Sequence, residues 1–130
     1  LNRMKKKILI VVADYYKEIA KGLINSAKKE IKNKFYTKTI HVPGVFEIPV
    51  SISRNIKDYH GFIALGCVIK GKTPHFDFIS RATTDAIMSL SIINKKPIGN
   101  GVITCLNMNQ AISRKKKGKE AARALISILA

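Results

Sequence analysis

The strongest constraint on the fold is a long apolar run that ends in a glycine turn. Phe62–Ile69 is apolar apart from Gly66, as expected for a strand buried on both faces of a parallel sheet. Gly71 breaks the run, and Pro74 suits the first turn of a following helix. The segment therefore predicts a strand, a turn and a helix, with His75 where the helix begins.

The same alternation continues along the chain. Strands are predicted over Lys6–Ala13, Phe35–Val42, Gly61–Lys70 and Pro97–Cys105. Helices are predicted over Lys17–Asn33, Phe46–Ile56, Phe76–Asn94 and Asn109–Ala130, the last broken around Lys115–Gly118. Strands that alternate with helices indicate βαβ units. We expect one α/β domain over residues 1–130, a three-layer α/β/α sandwich with a four-stranded parallel sheet, doubly wound and flavodoxin-like.

Two helix details follow from residue spacing. Asp14 precedes the first helix and is a candidate cap for it or for the segment that leads into it. The long third helix carries Ile79, Thr83, Ala86, Ile87, Leu90 and Ile93 on one face. Phe78, Met88 and Ile92 add to its core face beyond a single stripe, as a helix buried on two sides would require.

The net charge of +16 bears on partners. The basic residues are scattered, with local runs only at Lys5–Lys7 and Arg114–Lys117, and no basic stripe alternates with aromatic residues. Such a surface attracts anionic substrates and gives weak, salt-sensitive binding to nucleic acid. We expect no specific nucleic-acid partner, because charge alone carries no sequence readout.

Cysteine usage and hydropathy bear on location. Cys67 and Cys105 both lie in apolar strand contexts, which indicates buried free thiols in a reducing compartment. No apolar run approaches 20 residues, so no membrane association is expected. The apolar stretch Ile8–Val12 is too short for a signal peptide and fits a first strand. We expect a cytoplasmic protein.

Candidate site residues cluster where ligands bind in such folds, beyond the carboxyl ends of the strands. Tyr15 could stack on a planar heterocycle, and Glu47 could accept hydrogen bonds from hydroxyl groups. Unpaired amides at Gly71–Thr73 would attract a phosphate beside the titratable His75. The competing interpretation is a plain strand–turn–helix joint with a solvated histidine, a tyrosine at a strand end and a carboxylate at a helix start.

Four ordered blocks of the chain carry a family resemblance. They are PGVFEIPV at Pro43–Val50, GKTPHFDFIS at Gly71–Ser80, PIGNGVITCLNMNQA at Pro97–Ala111 and KGKEAARALI at Lys117–Ile126. Together they resemble the 6,7-dimethyl-8-ribityllumazine synthase family of riboflavin biosynthesis. The resemblance implies a transferase that needs no metal or other cofactor. It would condense 5-amino-6-(D-ribitylamino)uracil with 3,4-dihydroxy-2-butanone 4-phosphate to give 6,7-dimethyl-8-ribityllumazine, phosphate and water.

The resemblance also implies roles for individual residues. His75 would transfer protons. The pyrimidine would be held by stacking on Tyr15 and by backbone groups of Val68, Ile69 and Lys70, and the ribityl chain by Val45, Phe46 and Glu47. The phosphate would be held by Lys72, Thr73, Arg114 and Lys117.

Several positions depart from the family pattern. Tyr15-Tyr16 replaces the usual Phe-Asn, and Ala82 replaces a common glutamate. Asn100 replaces an aromatic that covers the pyrimidine from the neighbouring subunit. Only two residues separate Arg114 from Lys117, where the family usually has several more. Either this connection is truly short or residues are missing from the sequence.

The resemblance implies a homo-pentamer with active sites shared between subunits, and in some members twelve pentamers close into a 60-subunit shell. Two alternatives remain open at this point. One is a flavin or lumazine carrier that kept the pocket but lost turnover, and the other is a small basic nucleic-acid-binding domain. His75 and the phosphate-type turn favour the enzyme, because a carrier of a phosphate-free product needs neither.

Overall fold

A computed structural model describes residues 5–129 and has the predicted alternation of strands and helices. The strands are β1 (Lys7–Ala13), β2 (Tyr36–Val42), β3 (Gly61–Ile69) and β4 (Ile98–Cys105). The helices are α1 (Lys17–Ile31), α2 (Ile48–Arg54), α3 (His75–Asn94), α4 (Met108–Ser113) and α5 (Gly118–Leu129), and a 3₁₀ turn over Val45–Glu47 leads into α2. The last predicted helix is thus two helices with the expected break between them. Its final residue, Ala130, lies outside the described residues.

The four strands form one parallel sheet in the order β2-β1-β3-β4. The central strands β1 and β3 are almost entirely buried, whereas the edge strands β2 and β4 are partly exposed. This order and the helices on both faces confirm the predicted three-layer, flavodoxin-like α/β architecture.

Alternate residues of the central strands face two separate cores, as the two-residue period of a strand requires. Ile10 of β1 packs in the core that is covered by α1, α4 and α5. Its neighbour Leu9 packs in the opposite core, which is covered by the 3₁₀ turn, α2 and α3. Close approach of α5 requires a glycine in β4, because a Cβ on Gly99 would lie 2.1 Å from the Ala121 carbonyl oxygen.

The predicted core face of α3 is too wide. Thr83 and Ile87 are buried and Ile79, Ala86 and Leu90 are partly buried, but Ile93 is 76% exposed. Phe78, Met88 and Ile92, which were expected to widen the core face, are also exposed. A helix that lies against one sheet can bury only one stripe of side chains, so within one chain these residues form a second, uncovered apolar face.

The prediction that Asp14 caps α1 is also wrong. The N-cap residue is Tyr16, and no side chain caps it. The Asp14 carboxylate instead lies 3.1 Å from Nδ1 of His41 at the end of β2, while the Asp14 amide donates to the Val42 carbonyl. These two contacts join the carboxyl ends of β1 and β2.

Unequal strand lengths open a gap at the carboxyl edge of the sheet. The β1–β3 register ends at Val12 opposite Leu65, but β3 continues to Ile69, paired there only with β4. The end of β3 therefore has no strand on the side where β1 would continue. Among the described helices, none is long and apolar enough to cross a membrane.

Candidate active site

A cavity of about 360 Å³ lies in the gap beside the end of β3. Its walls come from the ends of β1 and β3, the turn after β2 and the start of α3. Six of the residues predicted from the sequence line it: Tyr15, Val45, Phe46, Val68, Ile69 and His75. Topology therefore brings residues distant in sequence to one place, as expected for the carboxyl edge of a doubly wound sheet.

The floor of the cavity is the unpaired side of β3. Because no strand flanks the end of β3 on the β1 side, the backbone groups of Ile69 that point to that side are available to a ligand. Val68 and Lys70 differ from the prediction, since the Lys70 N–H already donates to the Cys105 carbonyl over 2.8 Å and the backbone of Val68, two residues earlier, faces β4 in the same way. A flat heterocycle with hydrogen-bonding edges suits a wall of this kind.

Two tyrosines, Tyr15 and Tyr16, line the cavity. The rings of Tyr15 and Tyr16 meet edge to face, with centroids 4.9 Å apart and an interplanar angle of 86°. Tyr15 is 76% exposed, so it can stack on a planar ligand. Tyr16 is partly buried, and this burial, with the neighbouring Cys67 and Tyr15, raises the pKa of its phenol.

The turn after β2 is anchored so that it projects toward the cavity. Val45 is buried against Gly66 of β3, where a Cβ would lie 2.7 Å from Val45 Cγ1. Phe46 next to it is 64% exposed. Glu47 is partly buried, and within residues 5–129 its carboxylate makes no ion pair or side-chain hydrogen bond. The carboxylate is therefore available as a hydrogen-bond acceptor.

His75 is the first residue of α3 and is exposed at the cavity wall. The backbone N–H of His75 donates to the Thr73 hydroxyl over 3.3 Å, so this threonine satisfies one of the free amides of the helix start. Lys72 and Thr73 are exposed on the turn beside the cavity. An exposed imidazole here can reach a bound ligand as a general acid or base.

Seven predicted residues do not line the cavity in the single chain: Glu47, Lys70, Lys72 and Thr73 lie on the turns next to it, and Asn100, Arg114 and Lys117 lie in β4 and between α4 and α5. Asn100 is in β4, five residues before its end, which is about 16 Å along the strand, and its Oδ1 accepts from the Val102 amide. Arg114 Nη1 donates to the Thr104 carbonyl over 3.2 Å. Lys117 Nζ lies 2.8 Å from Glu120 Oε2. Asn100 and Arg114 are exposed at β4, and Lys117 is exposed just before α5.

Five further residues line the cavity that were not assigned to the site from the sequence: Ala13, Tyr16, Gly44, Cys67 and Ile79. The signal for Cys67 was its position near the carboxyl end of β3, next to the predicted Val68. Burial and the neighbouring Cys105 raise the pKa of the Cys67 thiol to about 12, so this thiol stays protonated. Cys67 and Cys105 are both free, as predicted.

No group of three or more His, Cys, Asp or Glu side chains in the described part of the chain is arranged to hold a metal ion. The arrangement instead offers an aromatic ring, a free strand edge and an imidazole around one cavity, with the Glu47 carboxylate on the adjoining turn. Such a site can bind a flat polar heterocycle with a hydroxylated side chain and move protons beside it.

Comparison with known proteins gives a consistent result. The family model described as 6,7-dimethyl-8-ribityllumazine synthase matches residues 5–130. A 6,7-dimethyl-8-ribityllumazine synthase of Agrobacterium fabrum is 38% identical over 138 residues, covering 96% of this chain and 93% of the relative. Proteins of the same name from Rhodopseudomonas palustris (numbered synthase 1) and Buchnera aphidicola are 39% and 37% identical, covering 95% and 98% of this chain and 83% and 88% of theirs.

Among solved structures, a lactose-specific IIB component domain from Streptococcus pneumoniae matches 97% of this chain and 99% of its own, with a TM-score of 0.43 and 10% identity.

Proposed function

Because this chain belongs to the 6,7-dimethyl-8-ribityllumazine synthase family, a family of transferases in riboflavin biosynthesis, we propose that it catalyses that condensation itself. The substrates are 5-amino-6-(D-ribitylamino)uracil and 3,4-dihydroxy-2-butanone 4-phosphate. The products are 6,7-dimethyl-8-ribityllumazine, inorganic phosphate and two waters. The observation that carries the proposal is the cavity in which Tyr15, the end of β3 and His75 meet.

The pyrimidine lies between the Tyr15 ring and the free edge of β3. The exposed ring of Tyr15 stacks on the heterocycle, while the free backbone groups of Ile69 bind its polar edge. The ribityl chain extends toward Val45–Glu47, where the Glu47 carboxylate accepts hydrogen bonds from its hydroxyl groups. This pose uses the part of the sheet edge that β1 leaves open.

His75 moves the protons of the reaction. The pyrimidine amine attacks the ketone, and the carbinolamine then loses water to give an imine. Phosphate leaves next, and ring closure expels a second water. Each step transfers a proton near neutral pH, which an exposed imidazole can donate or accept.

The phosphate group of the second substrate is held between Lys72 and Thr73 of one subunit and Arg114 and Lys117 of its neighbour. A planar guanidinium suits bidentate binding of phosphate, and a lysine adds a positive charge. This division fits the position of Arg114 and Lys117, which do not line the cavity of their own chain.

The assembly that brings these groups together is a homo-pentamer. The uncovered side of α3 supports it, because Phe78, Met88 and Ile92 are 66%, 58% and 66% exposed in the single chain. Ring closure needs two different patches in contact, as a site shared between subunits requires. Light scattering at physiological salt is expected to give a pentamer or a multiple of it, and the mass separates a pentamer from a shell of twelve. An active monomer would contradict the shared site.

The two free cysteines support a reducing compartment, and we place the protein in the cytoplasm on that basis.

The proposed activity is tested by mixing the two substrates with the protein. Product absorbance near the visible and release of phosphate are followed together. The proposal predicts that both rise in equal amounts and only when both substrates are present. Tight binding of the lumazine without phosphate release would instead identify a carrier, and the absence of both would refute the proposed function.

A further inference from the structure

The turn that joins α4 to α5 lies directly on α1 at a glycine. A Cβ on Gly22 would be 2.9 Å from both Cγ and the carbonyl oxygen of Lys115. These distances are shorter than an ordinary contact, and the carbonyl belongs to the backbone, so the turn could not stay in place if residue 22 had a side chain. Glycine is otherwise unfavourable inside a helix, which gives this position a packing reason.

An ion pair reinforces the same contact. Lys115 Nζ lies 3.3 Å from Glu18 Oε2, and Glu18 precedes Gly22 by one helical turn on the same side of α1. The Lys115 side chain is only 31% exposed, so its stem packs on the helix while its ammonium group reaches the carboxylate.

The two ends of the turn are also held. The Arg114 amide donates to the Gln110 carbonyl over 3.0 Å, and its guanidinium donates to the Thr104 carbonyl. At the other end α5 begins at Gly118, where a Cβ would lie 2.0 Å from the Leu23 carbonyl oxygen of α1. The turn of only two residues between Arg114 and Lys117 is therefore fixed against α1 on one side and β4 on the other.

We propose that Gly22 and Glu18 are positioning residues for the butanone phosphate. By seating Lys115 on α1 they fix the Arg114–Lys117 turn, and with it the direction in which Arg114 and Lys117 present their charges. Neither Gly22 nor Glu18 lines the cavity beside β3. The inference rests on the proposed function, because only there do Arg114 and Lys117 bind the phosphate group.

The test compares KM values for the two substrates. Gly22→Ala is expected to raise KM for the butanone phosphate about 10-fold, less than the roughly 100-fold that an ångström of misplacement can cost. Glu18→Gln is expected to raise it only about 2-fold, because the pair is partly exposed. KM for the pyrimidine stays unchanged in both. Asn25→Ala, on an exposed position of the same helix beside the turn, is the matched control and changes neither KM.

Limited trypsin digestion supplies a readout that does not depend on activity. The turn contains the sequence RKKK, and Gly22→Ala is expected to speed cleavage there, as mapped by mass, while Asn25→Ala does not. If Gly22→Ala proves poorly folded, Lys115→Ala replaces it, with Lys115→Arg expected to retain wild-type KM.

Two outcomes separate failure of this inference from failure of the proposed function. Unchanged KM and cleavage in Gly22→Ala, together with a raised KM for the butanone phosphate in Arg114→Ala, would overturn the positioning role alone. Unchanged KM in Arg114→Ala would remove the phosphate role from the turn, and the positioning role would fall with it.

Discussion

Glu47 and Gly44 fit closely together in the turn after β2. The Glu47 amide donates to the Gly44 carbonyl over 3.2 Å, and Glu47 Oε1 lies 3.1 Å from the point that a Cβ on residue 44 would occupy. Gly44 has a φ of −147°, which any residue can adopt, so the close carboxylate rather than backbone strain favours glycine here. A side chain at position 44 would shift the carboxylate by a few tenths of an ångström.

Glu47→Ala is expected to weaken binding of the ribitylaminopyrimidine. Removing a hydrogen bond to a charged group costs about 1.5–3 kcal/mol, so KM for this substrate should rise roughly 10- to 150-fold. Gly44→Ala should raise it less, because the carboxylate is displaced but kept. KM for the butanone phosphate should not change. Asp58→Asn, an exposed carboxylate after α2, is the control, and equal KM values in Glu47→Ala and wild type would refute the ribityl role.

His75→Ala is expected to fold normally and to reduce kcat by roughly 100-fold, the low end for loss of a general acid–base catalyst. The position is exposed at a helix start, so circular dichroism and the unfolding midpoint should match wild type. His60→Ala is the control, since this histidine accepts from the Lys7 amide at the opposite end of the sheet. Wild-type turnover by His75→Ala at every pH from about 5 to 9 would remove His75 from the mechanism.

Arg114→Ala is expected to weaken binding of the other substrate, the butanone phosphate. Loss of a charge-assisted contact of about 1.5–3 kcal/mol should raise KM for the butanone phosphate roughly 10- to 150-fold. Inorganic phosphate should also lose its ability to compete. Arg123→Ala, which removes an arginine paired with Glu30 on α1, should leave both KM values unchanged. If Arg114→Ala binds the butanone phosphate normally, Lys72 or Lys117 becomes the better candidate.

Cys67 is expected to resist alkylation in the native protein. Its pKa is raised from an ordinary value of 9.0 to about 12, chiefly by burial and then by Cys105, so its thiolate fraction at pH 8 is about 1000-fold lower than that of a free cysteine. The unfolded chain loses this proton above pH 9, while the folded chain keeps it to about pH 12.

The stability of wild type relative to Cys67→Ala should therefore be constant below pH 9 and fall as the pH rises toward 12. Iodoacetamide labelling with mass detection checks the first expectation, and unfolding curves at several pH values check the second. Complete labelling of native Cys67 within minutes at pH 8 would contradict the raised pKa.

Sequence reasoning predicted the order of the elements because the local signals are strong. The run Phe62–Ile69, bounded by Gly71 and Pro74, determined β3 and the start of α3, and strand alternation with helices implied the parallel sheet. The family resemblance, confirmed by the comparisons, added names and roles that periodicity alone does not contain.

What the sequence did not reveal depends on three-dimensional packing. The apolar pattern of α3 did not distinguish a core face from a face left open in the single chain, so Ile93 was wrongly assigned to the core face. The pairing of Asp14 with His41 joins strands far apart in sequence, and helix-capping preference gave the wrong partner. The gap beside β3 exists because β1 and β3 differ in length, which local signals do not determine.

The central claim is that this chain is a condensing enzyme whose site is completed by the neighbouring subunit. The most direct measurement is the activity of mixed assemblies, made by refolding His75→Ala and Arg114→Ala together in equal amounts and assaying at low butanone phosphate. Random mixing in a ring leaves about one quarter of the shared sites with both residues intact. The account predicts about one quarter of wild-type activity, well above the mean of the two variants measured alone. Activity equal to that mean would place both residues in one chain's site and contradict the account.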